Sequence, residues 1–349
     1  MTLQQAIVAR ALALQTGVVL ALLLLLTRCS AGDAAVGGAP LDAGDSAVSE
    51  ATGVSDAPGA TDAADSVADA GSPADAMGPA CLGGVPHADA APPTVDESCF
   101  VSTFDDEFQA YDVSSGPKDD GKYPNERWFN GTEQCCLSPS DGLPAVNYPM
   151  AGPNGPVNPY SLLPGGGLRI SLQNIQNEWY SGVMTSIDSD GHGFSQKYGY
   201  FEMSARLPSG TGTWPSFWML SVPGGPGGEI DIFEQYGCNP PLDPAVERIF
   251  HTTLHDWSAQ PPTGTSYTAN VTPDLTAAYH RYGLLWSATY IALYFDGNLL
   301  WSTPTLSVMN QPYYLLADMG MGSGWNTAQT PNPSNLDIKY IRAYSVPGF

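Results

Sequence analysis

Basic residues are scarce in this chain. Its 349 residues include 35 acids against 12 Lys or Arg, which gives a formal net charge of −23. Nucleic-acid binding requires a basic face that neutralises phosphates, so the sequence predicts no nucleic-acid partner. The same acidity argues against an anionic membrane surface or a strongly anionic polymer.

Apolar runs of membrane-spanning length are also missing. The run over residues 11–26 has 16 residues, short of the roughly 20 that a span needs, and it predicts the core of a secretory signal over residues 1–30. The end of this signal resembles a bacterial lipoprotein box with Cys29 as the lipidated residue, but Arg28 stands where that box has a small residue. Lipidation and simple cleavage both stay open. Either one predicts an extracellular or envelope-tethered protein whose sole envelope contact is this signal or lipid.

Residues 31–98 contain no Lys or Arg and almost no large apolar side chain. Such a segment cannot bury enough surface to offset its ordering entropy, and its 12 acids repel one another. It predicts a flexible tether, with a small folded module as the alternative. Residues 99–349 then form one folded domain, which we expect to be monomeric.

Two closely spaced Cys-x-x-Cys pairs, the usual mark of a zinc site, are absent from the sequence. The six cysteines leave an odd number if Cys29 is lipidated or removed, so at least one would pair outside the chain or stay free. Disulfides suit an exported protein. We expect no required cofactor.

Long helical periodicity is lacking from residue 100 onward. Short β-branched and aromatic runs alternate instead with Gly, Pro, Asn and Asp turns, and residues 290–301 read as a hairpin around Asp296-Gly297. The predicted strands include Tyr198–Leu207, Glu229–Tyr236, Arg248–His255, Arg281–Trp286, Tyr290–Phe295 and Leu336–Ser345. This pattern predicts an all-β sandwich of two antiparallel sheets.

Three carboxylates alternate with apolar residues in one predicted strand. Glu229 and Asp231 share a face because side chains switch face at each residue, and Ile230 and Ile232 point to the core. A regular strand would turn Glu234 inward. We therefore predict a β-bulge at residues 232–233, which returns Glu234 to the acidic face.

Carboxylates that crowd one face repel each other and acquire different pKa values. This pattern suits glycoside hydrolysis, in which one carboxylate attacks the sugar and a protonated one donates to the leaving oxygen. The alternative is an acidic solvent face or a calcium site.

Aromatic residues surround the acidic strand and predict a platform for sugar rings. Trp214 and Trp218 lie four residues apart and share a face if their segment is a strand, although core packing is the alternative for either. Tyr236, Trp257 and Trp325 are further candidates for substrate binding.

His251 and His255 lie on the next predicted strand and can share a face. No Glu follows His251, so they are not a metalloprotease zinc pair. His255 either lines the site or is a structural histidine.

Several segments together resemble glycoside hydrolase family 16, the laminarinase-like group of bacterial endo-glycanases. In chain order they are FDDEF (104–108), SQKYGYFEMSARLP (195–208), WPSFW (214–218), EIDIFE (229–234), YGLLW (282–286), FDGN (295–298) and LDIKYIRAY (336–344). The resemblance implies a β-jelly-roll with an open cleft on its concave face. It also implies that Glu229 is the nucleophile, Glu234 the general acid/base and Asp231 the residue that tunes the nucleophile.

The resemblance further implies a structural Ca²⁺ in many members, with Asp337 where such members place a carboxylate ligand. The chain departs from the family in two places beside the cleft, at Asp256-Trp257 and in the insertion 238–244. These departures bear on the substrate more than on the chemistry.

The sequence thus predicts a secreted, retaining endo-glycanase acting on a polysaccharide, with endo-β-1,3- or β-1,3(4)-glucan as the expected substrate. Three alternatives stay open: a non-catalytic carbohydrate-binding jelly-roll, a transglycosylase, and a galactan hydrolase of the same family.

Overall fold

Two β-sheets packed face to face make up the structure. The computed structural model describes residues 90–114, 127–130, 146–147, 158–223, 227–237, 246–322 and 327–349. These ranges hold nineteen strands, two short 3₁₀ turns and no α-helix. No helix within them is long and apolar enough to cross a membrane. The predicted export signal and the predicted tether up to residue 89 lie outside the described residues.

The first sheet has ten strands: β1 (Val101–Asp106), β4 (Val146–Asn147), β5 (Tyr160–Leu162), β6 (Leu168–Ile175), β7 (Glu178–Tyr180), β10 (Gly199–Arg206), β15 (His280–Trp286), β16 (Tyr290–Phe295), β17 (Asn298–Pro304) and β19 (Ser334–Ser345). The second sheet has nine strands: β2 (Val113–Ser114), β3 (Trp128–Asn130), β8 (Val183–Thr185), β9 (Ser195–Gln196), β11 (Thr213–Ser221), β12 (Gly228–Glu234), β13 (Ile249–Asp256), β14 (Thr263–Asn270) and β18 (Tyr313–Met321).

The strand order places sequence-distant strands side by side. In the first sheet it is β17-β16-β15-β10-β19-β6-β7-β4, with β1 on β19 and β5 on β6. In the second it is β14-β13-β12-β11-β18-β8-β3-β2, with β9 on β18. The pairs are antiparallel except β2–β3 and β4–β7. The predicted all-β sandwich is confirmed, and the six predicted strands are present with ends within two residues of the prediction.

The predicted hairpin is also present. Phe295 pairs with Asn298 across a two-residue turn, where Asp296 and Gly297 have φ values of 49° and 80°. Two consecutive residues with positive φ match the right-handed twist of the flanking strands, which explains the Asp-Gly sequence.

The main core lies between the two sheets. Alternate residues of β12 send Ile230 and Ile232 inward, and β10 contributes Phe201 and Met203 from the opposite side. All four side chains are fully buried. Truncating such a side chain to alanine costs about 2–5 kcal/mol, so this core fixes β12 and leaves its other face free for polar residues.

The folded domain begins earlier than predicted. The boundary was expected between residues 98 and 99, but residues 91–98 pack on the outer face of the first sheet. The Val95 amide donates to the Gly297 carbonyl at 3.0 Å, and Arg281 forms an ion pair with Glu97 at 2.7 Å. Composition does not indicate this earlier start, because residues 91–98 are as rich in Pro, Ala and acids as the residues before them.

Candidate active site

A β-bulge in β12 organises the acidic face, as the sequence predicts. Between Asp231 and Glu234, β12 advances three residues while its partner β13 advances two, from Thr253 to His251. The neighbouring strand β11 shows the same single extra residue in β12. The bulge therefore returns Glu234 to the outer face of the second sheet, which also carries Glu229 and Asp231.

Glu229 lies at the start of β12 and is partly buried. Its Oε2 accepts a hydrogen bond from the indole Nε1 of Trp257 at 2.8 Å. The backbone amide of Trp257 donates in turn to the Gly227 carbonyl at 2.9 Å, which ties the indole to the strand that carries the glutamate.

Asp231 is buried, and it lies between Glu229 and Glu234 along β12. Its Oδ2 lies 3.1 Å from Nε2 of His255, which is directly opposite Glu229 in the strand register. The His255 ring stacks on Trp257 with 4.6 Å between centroids and an angle of 12°. Of the two readings of His255, the structure supports a position in the site.

Glu234 has two aromatic donors. The indole Nε1 of Trp214 donates to Oε1 of Glu234 at 2.8 Å, and Tyr236 also donates to its carboxylate. Tyr236 and Trp214 contact each other with their rings 5.8 Å apart, and Tyr236 also contacts the ring of His251 at 5.1 Å.

The electrostatics favour one proton shared by the two glutamates near neutral pH. Burial raises the pKa of Glu229 from 4.5 to about 8, and the Asp231 carboxylate adds to the rise, while His255 and the Trp257 N–H oppose it. Burial also raises the pKa of Glu234, against the hydrogen bonds from Tyr236 and Trp214. The site can therefore hold a proton near neutral pH, as an acid/base pair requires.

The remaining predicted aromatic residues differ in their surroundings. Trp218 lies on the acidic face but is 6% exposed, packs with Ile187, Tyr314 and Leu316, and donates its indole N–H to Asp318 at 2.9 Å. Its expected role as an open sugar platform is wrong because neighbouring side chains cover the ring. Trp325 lies outside the described residues.

Asp318 is a fourth acid on this face that the sequence did not reveal. It is buried on β18, directly opposite Ser216 of β11. Strands β11 and β18 are about a hundred residues apart in the chain, and Asp318 is flanked by apolar residues that read as core. The signal in the sequence is a single acid between Ala317 and Met319 in an otherwise apolar run.

Asp337 does not have the surroundings of a calcium ligand. It is buried on the outer face of the first sheet, where Arg169 donates to both of its oxygens at 2.6 and 2.9 Å and Arg206 donates at 2.6 Å. Two guanidinium groups at hydrogen-bond distance repel a cation. The expectation that Asp337 binds Ca²⁺ is therefore wrong, and its carboxylate ties together β6, β19 and β10 instead.

Two groups within the described residues bring three metal-ligating atoms within 4.8 Å of one another. They are Asp188, Asp190 and His192, and Glu229, Asp231 and His255. In the first group Asp188 already accepts the backbone amides of the other two residues. In the second group Oε2 of Glu229 accepts a hydrogen bond from Trp257, and Oδ2 of Asp231 contacts Nε2 of His255.

Comparisons with known proteins agree with this arrangement. The sequence profile described as "Glycosyl hydrolases family 16" matches residues 164–342. The chain is 29% identical to the Endo-1,3-1,4-beta-glycanase EglC of Rhizobium meliloti (strain 1021) over 270 residues, which cover 74% of this chain and 55% of EglC. It is 30% identical to ExsH of the same strain, also an endo-1,3-1,4-beta-glycanase, over 267 residues covering 72% of this chain and 53% of ExsH.

The fold has close parallels among solved structures. The catalytic domain of a laminarinase from Thermotoga petrophila RKU-1 superposes with a TM-score of 0.54 at 23% identity and covers 71% of this chain and 99% of that domain. The chain spans about half the length of the two Rhizobium relatives. With the profile matching half of its residues, and with that profile's segment containing the bulged acidic strand, this chain belongs to glycosyl hydrolase family 16.

Proposed function

We propose that this protein is a retaining endo-β-glucanase that cleaves β-1,3- or mixed β-1,3(4)-linked glucan. The observation that carries the proposal is the bulge in β12, which places Glu229, Asp231 and Glu234 on one face. A lectin has no need for three carboxylates that repel one another on one bulged strand. The relatives EglC and ExsH are both endo-1,3-1,4-beta-glycanases, which supports the choice of substrate.

The proposed reaction is a double displacement. A carboxylate oxygen of Glu229 forms a bond to the anomeric carbon while the glycosidic C–O bond breaks, and Glu234 gives its proton to the departing oxygen. Glu234, now deprotonated, removes a proton from water, whose oxygen attacks the anomeric carbon and releases Glu229. Each step leaves the site with the charge at which it began.

Asp231 and His255 adjust the pKa of Glu229 during this cycle. The Asp231 carboxylate raises the pKa of Glu229, which makes the Glu229 carboxylate a stronger nucleophile when the intermediate forms. His255 lies 3.1 Å from Asp231 and opposes the rise in the pKa of Glu229, which favours departure of that carboxylate when the intermediate breaks down. The pair therefore balances formation of the intermediate against its hydrolysis.

Reducing-end release from a polysaccharide panel tests the proposal. The panel contains β-1,3-glucan, mixed-linkage glucan, agarose and carrageenan, and each is incubated with the wild type and with Glu229→Ala. We expect release from the two glucans and a loss of more than about 10³-fold in the variant. Retention on a glucan affinity gel without release by the wild type would favour the carbohydrate-binding alternative.

Azide distinguishes the two glutamates. In Glu229→Ala, azide can occupy the space of the nucleophile and yields a glycosyl azide of inverted configuration. In Glu234→Ala, the intermediate still forms from an activated aryl glycoside, and azide yields the retained configuration. Retained product from Glu229→Ala would contradict the assigned roles.

We also propose that the protein is exported. The support is the sequence of residues 11–26 and the lipoprotein-like segment that ends at Cys29. Fractionation of expressing cells, with mass analysis of the mature N-terminus in the wild type and in Cys29→Ala, separates lipidation from simple cleavage. Retention of the full-length chain in the cytoplasm would refute export.

A further inference from the structure

We propose that Trp257 is a positioning residue that selects which oxygen of Glu229 attacks the sugar. The inference rests on the proposed function and concerns one of the two positions where the sequence departs from the family pattern. The indole Nε1 donates to Oε2 of Glu229 at 2.8 Å. This hydrogen bond occupies Oε2 and leaves Oε1 as the oxygen that forms the bond to the anomeric carbon.

The indole is held from three directions. First, the backbone amide of Trp257 donates a hydrogen bond at 2.9 Å to the carbonyl of Gly227, the residue immediately before β12. Gly227 has a φ of 82°, a conformation that favours glycine, and a Cβ there would lie 3.7 Å from the Trp257 side chain. The amide hydrogen bond therefore holds the backbone of Trp257 beside the start of β12.

The turn after Trp257 adds a second constraint. The Oδ1 of Asp256 accepts hydrogen bonds from the Ser258 amide at 2.9 Å and from the Ala259 amide at 3.2 Å. These bonds fix the backbone on both sides of Trp257. Asp256, like Trp257, is a residue at which this sequence departs from the family pattern. Both unusual residues therefore serve the same local structure.

The ring of His255 supplies the third constraint. It stacks on one face of the indole at 4.6 Å and 12° while its Nε2 contacts Asp231 at 3.1 Å. Trp257 thus links Glu229 to Asp231 through His255. A ring with one face covered and its N–H engaged by Glu229 is placed to orient that carboxylate, which is a different role from the sugar platform expected from the sequence.

A positioned nucleophile lowers the barrier because its geometry and hydrogen bonding are set before reaction. Trp257→Phe keeps a ring over His255 and removes the N–H donor. We expect the rate of inactivation by a 2-deoxy-2-fluoro β-glucosyl fluoride, which reports formation of the bond to Glu229, to fall about 10–100-fold. The dissociation constant for an oligosaccharide product should change less than threefold.

The pH profile separates positioning from packing. Because the Trp257 N–H lowers the pKa of Glu229, its loss should move the acidic limb of kcat/KM to higher pH. Trp257→His, which restores a ring N–H donor, should recover part of the rate. Trp301→Phe is the matched control, since Trp301 stacks on Tyr267 away from the acids.

One readout does not depend on turnover. The Glu229 carboxyl is titrated by ¹³C NMR in the full chain, with Glu229→Gln used to assign its signal, and its pKa should rise in Trp257→Phe and stay unchanged in Trp301→Phe. An unchanged pKa together with an unchanged inactivation rate would overturn the proposal. Failure of the wild type to cleave any glucan would instead overturn the proposed function, and the NMR titration would still decide the role of Trp257.

Discussion

The indole Nε1 of Trp214, on β11, donates a hydrogen bond to Oε1 of Glu234, on β12, at 2.8 Å. The sequence separates these residues by one strand and a turn, and the bulge in β12 brings them together. Each of the two proposed catalytic glutamates therefore has an indole donor, Trp214 for Glu234 and Trp257 for Glu229.

The two tryptophans of β11 predict contrasting variants. Trp214→Phe removes a donor that lowers the pKa of Glu234, so the basic limb of kcat/KM should move to higher pH and kcat should fall about 10-fold or more. Trp218→Phe removes a donor to buried Asp318 and should cost about 1–3 kcal/mol of stability. The pH dependence of kcat/KM and the denaturant unfolding curves of both variants test these two expectations. The same pH profile in the two variants would contradict the assignment.

Glu229→Gln should make the protein more stable at neutral and alkaline pH. The folded-state pKa of about 8 exceeds the ordinary value of 4.5, so the wild type loses stability as pH rises from about 4.5 to 8 and changes little above that. The amide carries no charge to desolvate. We expect a gain of about 1–3 kcal/mol at pH 8, limited because the side chain is partly exposed.

Urea unfolding of the wild type and Glu229→Gln at pH 4.5 and pH 8 checks this dependence. The difference between the two proteins should be small at the lower pH and larger at the higher one. Ser171→Ala, which removes a hydroxyl that donates to the Asn335 side chain in the first sheet, serves as the control. A difference that is independent of pH would show that Glu229 has an ordinary pKa in the folded state.

Asp337→Asn should destabilise the first sheet. Burial alone would raise the pKa of Asp337, but hydrogen bonds from Arg169 and Arg206 outweigh it and lower the pKa below its ordinary value of 3.8. This stability is present above pH 3.8 and is lost as pH falls through the lower folded-state pKa. Because both arginines are partly exposed, we expect a loss of about 1–3 kcal/mol at pH 7.

The same variant tests whether Asp337 binds calcium. Melting temperatures of the wild type and Asp337→Asn are compared with calcium and with chelator. Any shift that calcium produces should be equal in the two proteins, because Asp337 binds guanidinium groups. A calcium-dependent shift that disappears in Asp337→Asn would restore the original expectation.

A chain that begins at residue 99 should be less stable than one that begins at residue 90. The longer chain keeps the Val95–Gly297 hydrogen bond, the bond from Leu299 to the Pro93 carbonyl, and the ion pair of Glu97 with Arg281. We expect a melting temperature about 5–10 °C lower for the shorter chain. Glu97→Ala in the longer chain should give a smaller decrease. Equal melting temperatures would place the domain boundary where the sequence predicts it.

Local rules were sufficient for several features of this protein. Alternation of polar and apolar residues fixed the faces of Glu229, Asp231, Ile230 and Ile232, because a strand offers two faces and the core takes the apolar one. The same rule required a bulge before Glu234 could join the acids. The Asp296-Gly297 turn followed from the φ values that a two-residue hairpin demands.

Long-range pairing decided the rest. Composition could not reveal that residues 91–98 dock on the first sheet, since docking depends on backbone hydrogen bonds to β17 and its turn, about 200 residues away in the chain. Asp337 became an arginine partner because β6, β10 and β19 meet side by side.

The donors of the glutamates were likewise set by the tertiary structure. The sequence identified Trp214, Tyr236, His255 and Trp257 as residues near the acids, from their places on or beside neighbouring strands. Which N–H or O–H meets which carboxylate depends on strand register and on the turn at Asp256. Hydrogen bonds require atoms within about 3 Å, a precision that spacing along a chain does not carry and that packing of the two sheets provides.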